Sequence, residues 1–416
     1  MQGSGHERVY VSEFNGLIMM KKTMLLALAG LLGLVSCSKY GEYDGVTKGS
    51  PTSESAFFMS DGGGGQGRPG GKAGVLTAGE WNDLDHWDFW SGLMGSQDFG
   101  GMSEYWRMFT PRRVAVRVAD AAGKRLPAIR ITLEQNQKVL WSTLTDNQGE
   151  ADLWVDPFHA QAGTENLVLT IDGKPQASAP KLSPWNVQQE EAVVNFYLLN
   201  KADVAEKRAD IAFIVDATGS MSDEIDFLKK DLVDILDRAK GGIGEIGLRT
   251  ATVFYRDTED EYVTKFSPFT DDYRKTIQYI SMQRAYGGGD LPEAVHTALE
   301  TGLQNLAWNT SARARIAFLV LDAPAHQDHQ GVVESLQASI REYAKQGVKL
   351  IPVFCSSPSK ECEFMCRFFA ILTGGTYVFL TDDSGVGGDH IEASVGDFQV
   401  EPLNDLLVRL IAKYIG

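Results

Sequence analysis

Residues 210–221, DIAFIVDATGSM, place the strongest constraint on how this chain folds. Residues 211–215 form an unbroken apolar run, which is typical of a strand buried on both faces. After this stretch the apolar residues recur every three or four positions, which predicts a helix. Asp216, Thr218 and Ser220 therefore lie on a strand-to-helix turn. In an open α/β sheet such turns are at the carboxyl ends of the strands, where ligands bind.

The three side chains of this turn predict a cation site and not a phosphate site. A phosphate-binding P-loop needs a glycine-rich loop that ends in lysine, and the turn has none. Asp216, Thr218 and Ser220 offer only hard oxygen donors, which suit Mg²⁺, Ca²⁺ or Mn²⁺.

A second carboxylate follows another predicted strand. In the segment AFLVLDAPAH, Asp322 ends a buried apolar run as Asp216 does. Neighbouring parallel strands place such residues side by side above the sheet. Two carboxylates at that distance repel each other unless a cation lies between them.

The segment YGGGDLPEAV supplies a third carboxylate, Asp290. Its glycines allow the backbone to come close to another group. Pro292 fits the first turn of a predicted helix, so Asp290 has an alternative role as the N-cap of that helix.

These segments resemble a known family. DATGSM resembles the D-x-S/T-x-S signature of von Willebrand factor A (VWA) domains, whose metal-ion-dependent adhesion site holds a divalent cation. GGGDLPE is similar to the GGGDxPE motif of VWA domains linked to α-kinases and of some exported bacterial lipoproteins. The resemblance implies Mg²⁺, with Ca²⁺ or Mn²⁺ as alternatives. It implies direct binding by Thr218, Ser220 and Asp290, with Asp216 and Asp322 often acting through water. Most VWA domains have threonine at the position of Asp290.

Other polar residues are candidates for the rim of this site. His326 and His329 form a His-x2-His pair, but no third soft ligand accompanies them in the sequence. We expect His326 to orient a loop at the rim rather than to act in catalysis. Asp382 and Asp383 follow the last predicted strand and are further rim candidates.

Strand and helix patterns alternate through the C-terminal half, which predicts a doubly wound, mostly parallel α/β sheet of the VWA type over residues 208–416. The predicted strands are 211–215, 248–255, 316–321, 350–354 and 377–380, with an antiparallel edge strand at 263–269. The predicted helices are 223–239, 292–307, 332–346, 362–372 and 402–414.

The N-terminal half divides into four segments. Residues 1–37 hold upstream residues and a signal peptide, and residues 38–74 form a glycine-rich linker. Residues 75–111 are rich in tryptophan, and these rings either pack inside the protein or form a surface for sugars or partners. Residues 112–200 carry about seven short alternating strands, which predict a β-sandwich. That segment resembles carboxypeptidase-regulatory-like or immunoglobulin-like modules.

The start of the chain predicts export and a lipid anchor. Lys21 and Lys22 precede an apolar run at 24–35 that is too short to span a bilayer. Leu34-Val-Ser-Cys37 resembles the lipobox of bacterial lipoproteins, which implies that Cys37 carries acyl chains such as palmitate. The implied location is the bacterial cell envelope, at the outer membrane. The alternative is a cleaved signal with an incidental cysteine.

The remaining cysteines leave two interpretations open. In an exported protein Cys355 and Cys362 could form a disulfide that leaves Cys366 unpaired. Alternatively, all three thiols are buried as small apolar groups.

The expected function is non-enzymatic, metal-dependent binding of a protein or surface ligand by a membrane-anchored chain. The formal charge of −16 excludes sequence-independent nucleic-acid binding, which needs a basic surface. We identify no catalytic residues in the sequence. Two alternatives are a metal-dependent hydrolase and a scaffold subunit whose metal is purely structural.

Overall fold

The computed structural model describes residues 76–185, 193–355, 359–381 and 392–416. The strands are β1 Thr77–Trp81, β2 Arg113–Asp120, β3 Arg130–Gln135, β4 Lys138–Leu144, β5 Glu150–Trp154, β6 Leu167–Ile171, β7 Lys174–Pro175, β8 Val194–Leu199, β9 Glu206–Asp216, β10 Gly247–Tyr255, β11 Thr264–Thr270, β12 Ala312–Leu321, β13 Lys349–Phe354, β14 Tyr377–Thr381 and β15 Glu401–Pro402. The helices are α1 Trp87–Met94, α2 Gln97–Trp106, α3 Ser222–Gly242, α4 Tyr273–Ser281, α5 Val295–Gln304, α6 Val332–Gln346, α7 Lys360–Thr373 and α8 Leu403–Ile415. Within these residues, no helix has the length and apolar character needed to cross a membrane.

The central sheet has eight strands in the order β11-β10-β9-β12-β13-β14-β1-β15. The five strands from β10 to β14 run parallel to their neighbours, whereas β11, β1 and β15 pair antiparallel. This arrangement confirms the predicted mostly parallel α/β fold. The predicted antiparallel edge strand is β11.

Strand β9 lies in the middle of the sheet and is covered on both faces. Ile211, Phe213 and Val215 belong to one hydrophobic core, which includes residues of α3 and α8. Ala212 and Ile214 point to the other core, which includes residues of α5, α6 and α7. Because both faces of the strand are buried, its apolar run is unbroken and does not alternate with polar residues.

Two smaller β-sheets precede β9 in the chain. One has the order β5-β2-β8 and the other β4-β3-β6-β7, so the seven predicted short strands are present. Buried residues of β2, β3 and β5 belong to the same hydrophobic core as α5, α6 and α7. The resemblance of this segment to immunoglobulin-like modules stays a prediction.

The tryptophan-rich segment is packed into the protein. Strand β1, which the sequence analysis did not predict, pairs with β14 on one side and β15 on the other. Trp90 and Trp106 are fully buried, and the ring of Trp90 lies 6.3 Å from that of Phe364 in α7. Trp81 and Trp87 are also buried. These four rings are therefore internal and do not form a sugar-stacking surface.

The helix predicted at 292–307 begins later, at Val295, with Ala294 as its N-cap. Asp290 is thus not an N-cap, and Pro292 is not in the first helical turn. The cause is a contact with a distant segment: the backbone N–H of Glu293 donates to the carbonyl of Pro324 at 2.9 Å, in a short parallel bridge. That bridge holds the backbone extended until Val295.

Two further features differ from the sequence interpretation. Cys355, Cys362 and Cys366 are all buried and free, so the disulfide between Cys355 and Cys362 is wrong and the apolar interpretation is correct. Helix α4 was not predicted because only a short stripe of its surface is buried, around Thr276 and Ile280.

A buried ion pair fastens the N-terminal segment to the large sheet. Arg367 of α7 is fully buried, and its guanidinium donates to both carboxylate oxygens of Asp83, at 3.0 and 2.5 Å. Glu363 lies on the other side of the same guanidinium, at 3.4 Å. Removing one partner of such a pair leaves a buried charge without compensation.

We expect Asp83→Ala to lower the free energy of unfolding by about 3 kcal/mol, because Arg367 then loses its closest carboxylate. The matched control is Glu334→Ala, which removes an exposed pair with Arg107 and should leave the free energy of unfolding almost unchanged. Urea unfolding followed by tryptophan fluorescence measures both changes. Equal losses in the two variants would contradict the structural role of the buried pair.

Candidate metal centre

Asp216 is the last residue of β9 and is completely buried. Its Oδ1 accepts hydrogen bonds from the backbone N–H and the hydroxyl of Thr218, at 2.8 and 2.7 Å. The Thr218 hydroxyl in turn lies 3.4 Å from that of Ser220, which is exposed. The strand end and the following turn therefore line up three oxygen-bearing side chains.

Asp322 comes directly after β12, the parallel neighbour of β9. Val320 pairs with Val215, so the chain register brings Asp322 to the same end of the sheet as Asp216. Asp322 is buried, with an exposed fraction of 7%. Because β9 and β12 are neighbours in the sheet, Asp216 and Asp322 lie at the same edge, as the sequence predicted.

The loop formed by residues 286–290, YGGGD, is called the glycine-rich loop, and its backbone is hydrogen-bonded to the turn that contains Thr218. The N–H of Gly219 donates to the carbonyl of Gly287 at 3.1 Å, and the N–H of Tyr286 donates to the carbonyl of Ala217 at 3.0 Å. Gly287 has a φ of +89°, and a Cβ there would lie 2.1 Å from Oδ1 of Asp260. Only glycine fits this close approach.

Glu293 is an acidic residue of the centre that the sequence analysis missed. It is buried, with an exposed fraction of 3%. A Cβ added to Gly288 would lie 3.1 Å from Glu293 Oε1 and 3.3 Å from the Thr218 Cβ, so the glutamate reaches the same loops. In the sequence Glu293 is a second acidic residue three positions after Asp290. It was not considered as a ligand because the predicted helix at 292–307 includes it.

The pKa values of these carboxyl groups reflect crowding of like charges in a buried place. Burial, followed by the charge of Asp322, raises the pKa of Asp216 to about 7. Burial, followed by the charge of Asp216, raises the pKa of Glu293 to about 9. Burial also raises the pKa of Asp322, and a hydrogen bond with the Ser220 hydroxyl lowers it by a smaller amount.

Each of these carboxylates has a buried oxygen without a well-formed hydrogen bond among the described residues, and the buried Tyr255 hydroxyl, which also lacks a well-formed partner, lies close enough to Asp216 to lower its pKa slightly. The three oxygens are Asp216 Oδ2, Asp322 Oδ1 and Glu293 Oε2. Buried polar atoms of folded proteins nearly always have a partner, so three at one place point to a missing one. A hard divalent cation fits this donor set, because it would supply positive charge to all three oxygens. Asp216, Ser220, Asp322 and Glu293 are the residues that would hold it.

The other predicted site residues have different positions. Asp290 is exposed, and no described contact joins it to Asp216, Ser220 or Asp322, so its role as a ligand stays a prediction. Asp382 and Asp383 lie outside the described residues, as does Cys37.

A second layer of polar groups surrounds the centre. His326 is buried, and its Nε2 lies 2.6 Å from Oδ1 of Asp257. Asp260 Oδ2 accepts hydrogen bonds from the N–H groups of Asp257 and Gly288, at 3.2 and 3.0 Å. These bonds fix the glycine-rich loop next to the carboxylates.

Arg256 joins the two loops of the centre from below. It is buried, with its Nε donating to the carbonyl of Ala217 at 3.1 Å and an Nη donating to the carbonyl of Arg284 at 2.9 Å. Its guanidinium also lies over the ring of Tyr262, with 4.4 Å to the ring centroid. These contacts fix the two loops relative to each other.

Residues 210–363 match the family model of the von Willebrand factor A domain. This part of the chain is a VWA domain. The match contains Asp216, Thr218, Ser220, Glu293 and Asp322, and thus every residue assembled above into the centre.

Comparison with known proteins gives partial similarities. The chain is 35% identical over 120 residues to an ariadne-like RING finger protein of Acanthamoeba polyphaga mimivirus, covering 28% of this chain and 11% of that protein. It is 28% identical over 130 residues to the alpha-protein kinase vwkA of Dictyostelium discoideum, covering 30% of this chain and 20% of that protein. This chain therefore spans only a small part of the length of either relative. Crystallised BatB of Bacteroides thetaiotaomicron has 13% identity and a TM-score of 0.34, covering 50% of this chain and 98% of that one.

We expect the metal-free protein to lose stability as the pH rises from about 5 to 9. Asp216 and Glu293 have ordinary pKa values of 3.8 and 4.5 but keep their protons to about pH 7 and 9 in the folded chain. The folded state therefore binds more protons in this window, and its stability falls as the pH rises through the two folded values. The loss should be steepest between pH 5 and 7, where the folded chain holds both extra protons, and shallower between pH 7 and 9, where it holds only that of Glu293.

Urea midpoints at pH 5, 7 and 9 in a chelator measure this loss. Glu293→Gln should flatten the part of the curve between pH 7 and 9, because the group that titrates there is gone. A curve of unchanged shape in the variant would show that Glu293 does not contribute.

Proposed function

We propose that this chain is a lipid-anchored, non-enzymatic binding protein whose VWA domain uses a divalent cation to hold a protein or surface ligand. Mg²⁺ is the expected ion, with Ca²⁺ or Mn²⁺ as alternatives. The supporting observation is the convergence of Asp216, Asp322 and Glu293, each with a buried carboxylate oxygen that lacks a well-formed hydrogen bond among the described residues. A dication is the group that would stabilise all three.

The surface around the centre supports binding of a partner. Ser220 is exposed, so the centre is open to solvent on that side. Tyr286 and Leu291 flank the glycine-rich loop with exposed fractions of 72% and 50%. Aromatic and apolar side chains of this kind are enriched at protein interfaces. A partner would thus meet an ion and an apolar rim at one place.

The charge of the centre restricts the chemistry of the partner. A bound dication would displace the protons of Asp216 and Glu293, and three ionised carboxylates then exceed its charge, so the loaded centre would stay negative. An acidic side chain of a partner would be repelled more than at a centre with two carboxylates. We therefore propose a ligand that offers neutral oxygen donors or basic groups.

The absence of catalysis is part of the proposal. Among the described contacts of the centre, the Ser220 hydroxyl meets the Thr218 hydroxyl and the carboxyl group of Asp322, so the one base among these contacts is itself a proposed ligand of the ion. His326 is instead bonded to Asp257. This arrangement favours binding over hydrolysis.

The lipid anchor rests on the sequence of the first 37 residues. The lipobox-like Leu34-Val-Ser-Cys37 supports acylation of Cys37 and a location at the outer membrane of a bacterial envelope. The strongly negative chain also disfavours nucleic acid as a partner. Cells fed labelled palmitate should label the unaltered chain but not Cys37→Ser, and label retained by that variant would refute the anchor.

We expect a chelator to lower the melting temperature at pH 8 and Mg²⁺, Ca²⁺ or Mn²⁺ to restore it, because the ion binds only the folded centre. The double variant Asp216→Ala, Asp322→Ala should lose this response. The control is Asp226→Ala, which removes an exposed carboxylate of α3 outside the centre. An unchanged response in the double variant would contradict the proposed ion site.

The partner is tested separately, by pull-down from solubilised membranes of the source cells with Mg²⁺ or with chelator. Partners that depend on the ion, and that are lost in the double variant but kept in Asp226→Ala, support presentation of the ion to a ligand. Partners kept in chelator would instead indicate a scaffold with a structural ion. Turnover of ester or phosphoester substrates that is lost in the double variant would indicate a hydrolase.

A further inference from the structure

A second group of metal-ligating side chains lies in the loop after Asp322. His326, Asp328 and His329 each bring one ligand atom to within 4.8 Å of the others. His326 is buried, whereas Asp328 and His329 are exposed. In the sequence the two histidines have no third soft ligand, and the structure places the hard carboxylate of Asp328 beside them.

The contact of His326 with Asp257 prepares one imidazole as a ligand. Nε2 of His326 lies 2.6 Å from Oδ1 of Asp257, and both side chains are buried. A carboxylate at that distance holds the proton on Nε2, so the lone pair is on Nδ1. Histidines that bind metals commonly donate their other N–H to a carboxylate in this way.

The loop is held in place by one contact with a distant segment and one within the loop itself. The side chain of Gln327 donates to the carbonyl of Tyr105 at 2.9 Å, at the end of α2. The N–H of His329 donates to the carbonyl of His326 at 3.2 Å. The loop backbone is therefore fixed, and only exposed side chains need to move when an ion binds.

Binding of one ion by both histidines requires a side-chain movement. The rings of His326 and His329 are stacked, with centroids 4.2 Å apart and planes within 2° of parallel. A metal ion lies in the plane of each imidazole that binds it, and two parallel planes share no point. Because His326 is fixed by Asp257 and His329 is exposed, His329 must rotate about its side-chain bonds to join the ion.

The donor set differs from that of the VWA centre. Two imidazoles and one carboxylate are ligands of Zn²⁺ and of Co²⁺, Ni²⁺ or Cu²⁺, and three protein ligands leave one position open. Asp216, Ser220, Glu293 and Asp322 offer only oxygen. We propose that His326, Asp328 and His329 form a second metal site, for a transition-metal dication of the Zn²⁺ class. The site does not depend on the proposed function of the first centre.

Co²⁺ serves as the probe, because its visible absorption reports nitrogen ligands in a tetrahedral site. The full chain without a histidine tag is titrated with Co²⁺ in the presence of excess Mg²⁺, and Zn²⁺ is then added to displace it. We expect one equivalent of Co²⁺ with visible absorption. His329→Ala and Asp328→Asn should each weaken binding by at least about tenfold, since loss of an indirect contact alone costs that much.

Two controls separate this site from the others. His159→Ala removes an exposed histidine outside the cluster and should leave Co²⁺ binding unchanged. The double variant Asp216→Ala, Asp322→Ala should keep the Co²⁺ absorption, whereas its melting temperature should no longer respond to Mg²⁺. Both variants of the exposed ligands leave the buried core untouched, so loss of binding is not loss of folding.

Two results would overturn the proposal. One is equal Co²⁺ affinity in His329→Ala and in the unaltered chain. The other is loss of the Co²⁺ absorption in the Asp216, Asp322 double variant with the His329 and Asp328 variants unaffected, which would place the ion in the VWA centre.

Discussion

Repulsion between buried carboxylates at the ends of adjacent parallel strands dominates the chemistry of this protein. The pairing of β9 with β12 brings Asp216 and Asp322 to one edge of the sheet, in a place with little water. Glu293 enters from a third segment and adds a like charge. Two hydrogen bonds from Thr218 stabilise the ionised form of Asp216, and Arg256 holds the two neighbouring loops together. Without a cation, this repulsion is relieved by protons on Asp216 up to about pH 7 and on Glu293 up to about pH 9, and it is unrelieved above those values.

Much of the fold could be predicted because the decisive signals are local. Residues 211–215 are apolar on both faces, and each aspartate of the pair ends such a run, so strand, turn and carboxylate were all visible in the sequence. Strand order was supplied by resemblance to a family rather than by the residues themselves. The predicted ligands Asp216, Thr218 and Ser220 are adjacent in the chain, and their gathering needs only one turn.

The missed features depend on contacts between distant segments. Glu293 became part of the centre because its backbone pairs with residues near Ala325, which keeps the chain extended where helix periodicity favours a helix. Strand β1 was missed because its partner strand, β14, lies about 300 positions later in the chain. In this pairing Thr77 is opposite Thr381. Local patterns contain no information of these kinds. Asp328 is a separate case, because it lies between the two histidines in the sequence and was passed over as a hard carboxylate where a third soft ligand was expected.

The position of β1 has a consequence for how the polypeptide is divided. The large sheet is built from two stretches, Thr77–Trp81 and the segment from Glu206 onward, so the smaller sheets are an insertion with both ends tied to it. A fragment starting at Lys201 would lack β1 and Asp83. The backbone groups of β14 that pair with β1 would then have no partner strand, and Arg367 would lose its ion pair. Bare strand edges pair with other molecules, so such a fragment is prone to self-association. A fragment that folds on its own must therefore begin before β1. A pulling force applied to the chain ahead of Thr77 would act directly on β1, which lies between β14 and β15 in the large sheet.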